Sequence, residues 1–121
     1  MSTLETGKKL VELCKQGKNL EAISTLYDPN VESVEAMAMP SGETVAKGID
    51  AIRGKNEWWY GAHEVHGAEV DGPFPHGDRF IVRFKMDITQ KESGQRMTVE
   101  EFGLYTVKDD KIVKEEFFYT M

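Results

Sequence analysis

Three features of the sequence predict an α+β fold. In the segment 79–120, Phe80, Val82, Phe84, Met86 and Ile88 fall on one parity, and Arg83, Lys85 and Asp87 fall on the other. That period-two alternation is what a strand with one buried and one wet face requires. Turn residues divide the segment into strands 79–89, 96–108 and 111–120, joined by Glu92-Ser93-Gly94-Gln95 and Asp109-Asp110, as in an antiparallel meander. Helical patterns come mostly before strands, in the order α-α-β-β-α-β-β-β-β, which argues against an alternating parallel α/β sheet. The meander cannot leave its apolar face in water, so an earlier element must cover it.

The first helix starts at Ser2-Thr3-Leu4-Glu5, which has the form of a capping box. Its apolar stripe is Leu4, Leu10, Val11, Leu13 and Cys14, and Gly17 stops it. Asn19 has the chemistry of an N-cap for a second helix with Leu20, Ile23, Leu26 and Tyr27 inward. Asp28-Pro29-Asn30 ends that helix, because proline cannot continue the hydrogen-bond ladder. Residues 31–39 read as a strand with Val31, Ser33, Glu35, Met37 and Met39 on one face. Pro40-Ser41-Gly42 is a turn, and 43–46 a short return strand. Gly48 opens a third helix, in which Ile49, Ile52, Asn56, Trp59 and His63 recur at steps of three and four. Gly54 weakens its middle by about 1 kcal/mol relative to alanine. Residues 64–70 make a further strand, and 72–78, with Pro73 and Pro75, a loop.

The chain has 121 residues, 40% hydrophobic and 30% charged, which suits one domain, 1–121, with a small core. A net charge of -6 disfavours nucleic acid and anionic membrane as partners, since phosphate binding needs clustered Lys or Arg. The single cysteine, Cys14, excludes an internal disulfide and a multi-cysteine zinc site. No apolar stretch reaches the roughly 20 residues that span a bilayer. The first residues lack a basic start and an apolar core, so the expected location is cytoplasmic. The sequence carries no Gly-rich phosphate loop, nucleotide fingerprint or G-x-S-x-G, so no cofactor is expected.

Leu26-Tyr27-Asp28-Pro29-Asn30-Val31, Gly48-Ile49-Asp50-Ala51-Ile52 and the run Tyr105–Val113 together resemble SnoaL-like proteins. These belong to the nuclear transport factor 2-like superfamily, which also holds ketosteroid isomerase. Residues 55–66 and 96–119 most resemble a largely uncharacterised SnoaL-like branch. The resemblance implies a cystatin-like cone, with a curved mixed or antiparallel sheet wrapped around the third helix. It also implies a pocket between sheet and helices, and often a homodimer packed through the outer sheet face. It does not by itself set an activity, because the superfamily holds isomerases, cyclases, hydrolases, dehydratases and non-catalytic proteins.

In isomerase-like members a carboxylate general base lies on the first strand, eight positions after the tyrosine closing the second helix. Tyr27 and Glu35 match that spacing. Independently, Glu35 shares its strand face with Val31, Met37 and Met39, and desolvation there would raise its pKa and make it a better base. The alternative is a solvated Glu35 with Val34 and Ala36 inward. His63 ends the stripe of the third helix and would pair with Glu35, or else complement the helix C-terminus. By register with the family, Tyr119 lies at the pocket wall as an oxyanion donor. The same register puts Phe102 where the isomerase carries a protonated Asp, which argues against its mechanism. Trp59, Met37, Phe84, Phe117 and Glu100 complete a candidate lining, suited to a small apolar or aromatic molecule. Glu115 is read as either a pocket group or a solvated one. Glu35, His63 and Glu100 were weighed as a His-plus-carboxylate metal set, but no ligand motif supports them, and no metal is expected. The expected activity is that of a cofactor-free acid–base isomerase, cyclase or lyase on a small cyclic carbonyl compound. The alternative is a binding module of the same fold.

Overall fold

The computed structural model describes residues 2–39 and 41–119. Its elements are α1 (Thr3–Lys15), α2 (Asn19–Leu26), β1 (Tyr27–Val34), β2 (Val45–Lys47), α3 (Ile49–Ala62), β3 (His63–His76), β4 (Arg79–Gln90), β5 (Arg96–Lys108) and β6 (Lys111–Phe118). The order matches the expected α-α-β-β-α-β-β-β-β, and the class is an α+β cone of the cystatin-like kind. One mixed, open sheet of six strands runs β2-β1-β6-β5-β4-β3. All pairs are antiparallel except β1 with β6, which run parallel.

Local chemistry explains the helix ends. Ser2 caps α1, its hydroxyl accepting from the Glu5 N–H, and Glu5 completes the capping box. At the other end Gly17, at φ 73°, supports a Schellman motif. The Lys18 N–H donates to Leu13 O at 2.8 Å, and the Gly17 N–H donates to Cys14 O at 3.1 Å. Asn19 is not the cap of α2. Lys18 holds that position with no side-chain hydrogen bond, because the Schellman turn already fixes the chain there.

Three boundaries differ from expectation. β1 begins at Tyr27 rather than Val31 and ends at Val34, since Tyr27 already pairs with Ile112 of β6, and Asp28-Pro29-Asn30 lie in the register shift between Tyr27 and Glu32. β2 is Val45–Lys47 rather than 43–46. β3 continues through 72–76, expected as a loop. It is an edge strand, where proline's missing N–H costs no ladder bond, and its register shifts between Asp71 and Phe74. Pro40 of the expected turn and Thr120 of the expected last strand lie outside the described residues. Among the described residues no helix is long and apolar enough to cross a membrane.

The core lies between the concave sheet face and the helices. Leu10 and Val11 of α1, Ala22, Ile23 and Leu26 of α2, and Ile52 of α3 pack against Val31, Phe80, Val82, Tyr105 and Ile112. The Phe80 and Tyr105 rings stack across β4 and β5, centroids 5.0 Å apart. The fold depends on close approach at Gly7, inside α1, where an added Cβ would lie 2.8 Å from the Pro73 ring and 3.2 Å from Phe80.

Gly7 and Gly54 therefore make a contrasting pair. Gly7→Ala is expected to lower the melting temperature by several degrees, because overpacking costs about 1–3 kcal/mol and outweighs the helix-propensity gain of about 1 kcal/mol. Gly54 in α3 has nothing within 4 Å of an added Cβ, so Gly54→Ala is expected to raise stability by up to about 1 kcal/mol. Calorimetry of both variants checks the two signs.

Candidate functional site

The concave face carries a cluster of titratable side chains drawn from four elements. α3 supplies Lys55, which follows buried Ile52 by three residues and precedes Trp59 by four, and so points inward. Ser33 comes from β1 and Glu35 from just beyond its end. β5 supplies Glu101 and Tyr105. β6 supplies Glu115 and Phe117, with Tyr119 immediately after.

The parity of β6 is set by an irregularity. Ile112 faces Val107, but Lys114 faces Thr106, so one residue is inserted between them. That bulge brings Glu115 opposite Tyr105 and buries it to 3% exposure. The solvated reading of Glu115 is thereby overturned.

Lys55 is the hub. Its ammonium donates to Glu35 Oε1 at 2.6 Å and to Ser33 Oγ at 2.5 Å, and lies 5.1 Å from the centroid of Phe117. The Lys55 and Glu35 side chains are only 16% and 15% exposed, so neither charge is screened as a surface pair would be. The other oxygen of Glu35, Oε2, accepts from the Tyr119 phenol at 2.9 Å. Burial and this bond push Tyr119 up to about 12, which keeps it a proton donor at neutral pH.

Behind Lys55, Glu115 accepts hydrogen bonds from the Tyr27 phenol and from Ser33. Burial still leaves the Glu115 carboxyl above its ordinary range, with Lys55 and the two hydroxyls pulling against it. Glu101 differs. Burial first, then the charge of Glu35, with Glu115 adding to them, push it up to about 7, and Lys55 opposes them. Among the described residues no hydrogen bond contributes to that shift.

The structure thus brings Glu35 and Tyr119 together, with Tyr27 and Phe117 at the same cluster. Phe84 packs against the core beside them, opposite Glu101 in the sheet. Other expected residues lie elsewhere. Glu100 is on the outer face, where it accepts from Arg83 at 2.8 Å. Phe102, on the same parity, is 41% exposed and is not a pocket residue. The family register was one residue off on β5, and the inward set is Glu101, Gly103 and Tyr105. Met37 is 47% exposed, because the chain leaves the strand before it. Only its backbone touches the site, through a hydrogen bond to the Tyr119 hydroxyl.

His63 does not reach Glu35. It stacks on Trp59 at 4.5 Å, and its Nδ1 lies 2.9 Å from Trp59 O, so it closes the C-terminal end of α3. Lys55 is eight residues away along the helix, about 12 Å. Glu35, His63 and Glu100 therefore form no metal set, and among the described residues no group of three or more His, Cys, Asp or Glu could hold a metal ion. Cys14, pushed up to about 12 by burial, is a packed thiol.

Sequence reading missed Lys55 and Glu101. Lys55 lies on the stripe of Ile52 and Trp59, but the neighbouring Asn56 fits the same three- and four-residue steps. The signal for Glu101 was the parity shared by Gly103, Tyr105 and Val107.

A model of the SnoaL-like domain matches residues 1–119. A crystal structure of a candidate SnoaL-like polyketide cyclase from Mesorhizobium loti superposes with a TM-score of 0.93 at 45% identity, covering 98% of this chain and 100% of that one. A second candidate cyclase of this kind, from Jannaschia, gives 0.75 at 18% identity, over 96% and 83% of the two chains. The protein TerC, co-crystallised with polyporic acid, gives 0.75 at 18%, over 98% and 91%. At that identity the last two speak for the fold alone. None of the curated proteins matches. With the family model spanning 1–119 and a relative at 45% identity over its full length, the chain belongs to the SnoaL-like domain family.

Proposed function

We propose that the protein is a cofactor-free acid–base catalyst, an isomerase, cyclase or lyase, acting on a small cyclic carbonyl compound. The observation that carries this reading is Glu101: a largely buried carboxyl, pushed up to about 7, beside the Lys55–Glu35–Tyr119 network, with no hydrogen bond from another described residue contributing to the shift. A proton-transfer group works best when its pKa is close to the operating pH. Glu101 as carboxylate would take a proton from the carbon beside the carbonyl, and as acid return it to the intermediate. Lys55 would stabilise the negative oxygen that forms in between. Glu35, with one oxygen on Lys55 and the other on Tyr119, would aim both donors. This differs from the expectation that Glu35 is itself the base. Glu101 also supplies the inward carboxyl that Phe102 was thought to replace.

A second reading, a non-catalytic binding module, draws on the closed chain Glu35–Lys55–Ser33–Glu115–Tyr27, which would be there for structural reasons alone. The relative named as a candidate polyketide cyclase supports the catalytic reading.

A homodimer is part of the proposal. Ile81, Phe102 and Phe118 are 40%, 41% and 53% exposed on adjoining strands of the outer face. Phe102 sits opposite Phe118 and Arg83 in the sheet. A row of exposed aromatics on a sheet face suits a self-complementary partner.

Three outcomes are expected. In D2O, the protein should accelerate deuterium exchange at the α-carbon of cyclic monoketones such as cyclohexanone, followed by NMR. Glu101→Gln should lower that rate by at least about 100-fold. Loss in Glu35→Gln with full retention in Glu101→Gln would reassign the base to Glu35, and no acceleration by the wild type would leave the binding module.

The pH dependence of stability follows from the raised pKa. Glu101 moves from 4.5 in the unfolded chain to about 7 in the fold, so the native state holds its proton more tightly. Its contribution is full below 4.5 and is lost as pH rises through 7. Glu101→Gln should therefore melt with a smaller drop between pH 5 and 8 than the wild type; an equal drop would contradict the assigned pKa. Phe118→Asp should shift the protein from dimer to monomer in sedimentation equilibrium, and an unchanged mass would rule out this face.

A further inference from the structure

An open groove of about 380 Å3 lies between the β1–β2 hairpin and α3, and Lys55 forms part of its lining. We infer that this groove receives the ring system of the ligand: a flat, mostly apolar molecule whose one acceptor oxygen, carbonyl or enolate, reaches the Lys55 ammonium. The inference deepens the acid–base reading above and rests on it.

The walls are the first argument. Met39, Val45, Ala46, Ala51 and Trp58 give the groove an apolar surface, and its volume falls in the range of small-molecule sites. Trp58 is 51% exposed, and an indole face left in water is a ready platform for a planar ring. The hydrogen-bond chemistry is the second. A lysine ammonium carries three donors, and here Glu35 and Ser33 take two of them. The remaining donor suits an acceptor oxygen; the Lys55 side chain lines the groove, and its ammonium faces Glu35 and Glu101. A ring held on Trp58 with its oxygen on Lys55 would thus have its reacting edge toward the carboxyls. A larger hollow of about 540 Å3, beside the turn between α1 and α2, touches Tyr60 but no member of the carboxyl cluster, and carries no such link.

The carboxyl cluster behind the groove sets a second selection. There Glu35, Glu101 and Glu115 outnumber Lys55, so that cluster by net charge alone would prefer a cation, whereas the groove's own lining carries Lys47 and Lys55 against Glu43. Recognition through the Lys55 donor prefers an acceptor oxygen instead.

Isothermal titration with 2-hydroxy-1,4-naphthoquinone, and with N-methylquinolinium as a flat cation, separates the two. The naphthoquinone should bind the wild type, and Trp58→Ala should weaken it by about 10-fold. Ala51→Trp, on an exposed face of α3, should fill the groove and abolish binding while leaving the melting temperature near that of the wild type. Glu101→Gln should bind as the wild type does yet lose exchange, so failure of the groove and failure of the acid–base reading register on different instruments. Unweakened binding to Ala51→Trp, tighter binding of the cation, or no wild-type binding at about 1 mM each overturns the inference.

Discussion

Inside the cone one ammonium faces three carboxyls. Lys55 reaches Glu35 directly and Glu115 through Ser33, and its charge acts on Glu101. Taking an ion pair out of water costs more than mutual attraction returns unless the remaining lone pairs and protons are also satisfied. The phenols and the serine meet that condition: Tyr119 and Tyr27 each give a hydrogen to a carboxylate, and Ser33 links the halves. With three acids and one base in the same interior, however, full ionisation is unfavourable. Burial first, and then the neighbouring carboxylate charge, raise the pKa values of the two carboxyls without an ion pair of their own, Glu101 and Glu115.

Those two glutamates show how environment divides roles among identical side chains. Glu115 is buried to 3% exposure and its oxygens accept from Tyr27 and Ser33, so it is shut off from a ligand and its lone pairs are already engaged. Glu101 is less completely enclosed than Glu115 and is moved by burial first and then by charge. A group that must exchange protons with a ligand needs access and a poised pKa, and only Glu101 has both. Glu115 instead supports the position of Lys55, through Ser33, from behind.

Much of the fold was legible because its signals are local and periodic. The alternation from Phe80 to Ile88, the Asp109-Asp110 hairpin at φ 52° and 65°, and the stripe containing Ile52 and Trp59 are each written in a short window. The candidate site was less legible because it depends on register between distant strands. Phe102 was placed inward by counting against the family, whereas the inward parity of β5 follows from Val107 facing Ile112 across the hairpin. Even that rule needs the bulge after Ile112 to carry Glu115 inward, and no residue type announces a bulge there. Lys55 was hidden for a different reason. A lysine at a helix position is ordinarily a solvated group, and only the opposing carboxyls, contributed by three other strands, make its burial tolerable.

The dependence of a helix lysine on strand carboxyls also bears on how the pocket side of the fold is kept open. An apolar residue at position 55 would pack against Phe117 and Ile52 and draw helix and sheet together. An ammonium held by its own hydrogen-bond partners does not collapse in that way. Gly103 acts in the same direction from β5: a Cβ there would lie 2.8 Å from the Tyr105 ring and 3.2 Å from Phe117, so only glycine lets both rings lie along the sheet beside Lys55. The polar cluster and the missing side chain are thus two solutions to one constraint, which is to place aromatic surface next to an ion pair without filling the space between them.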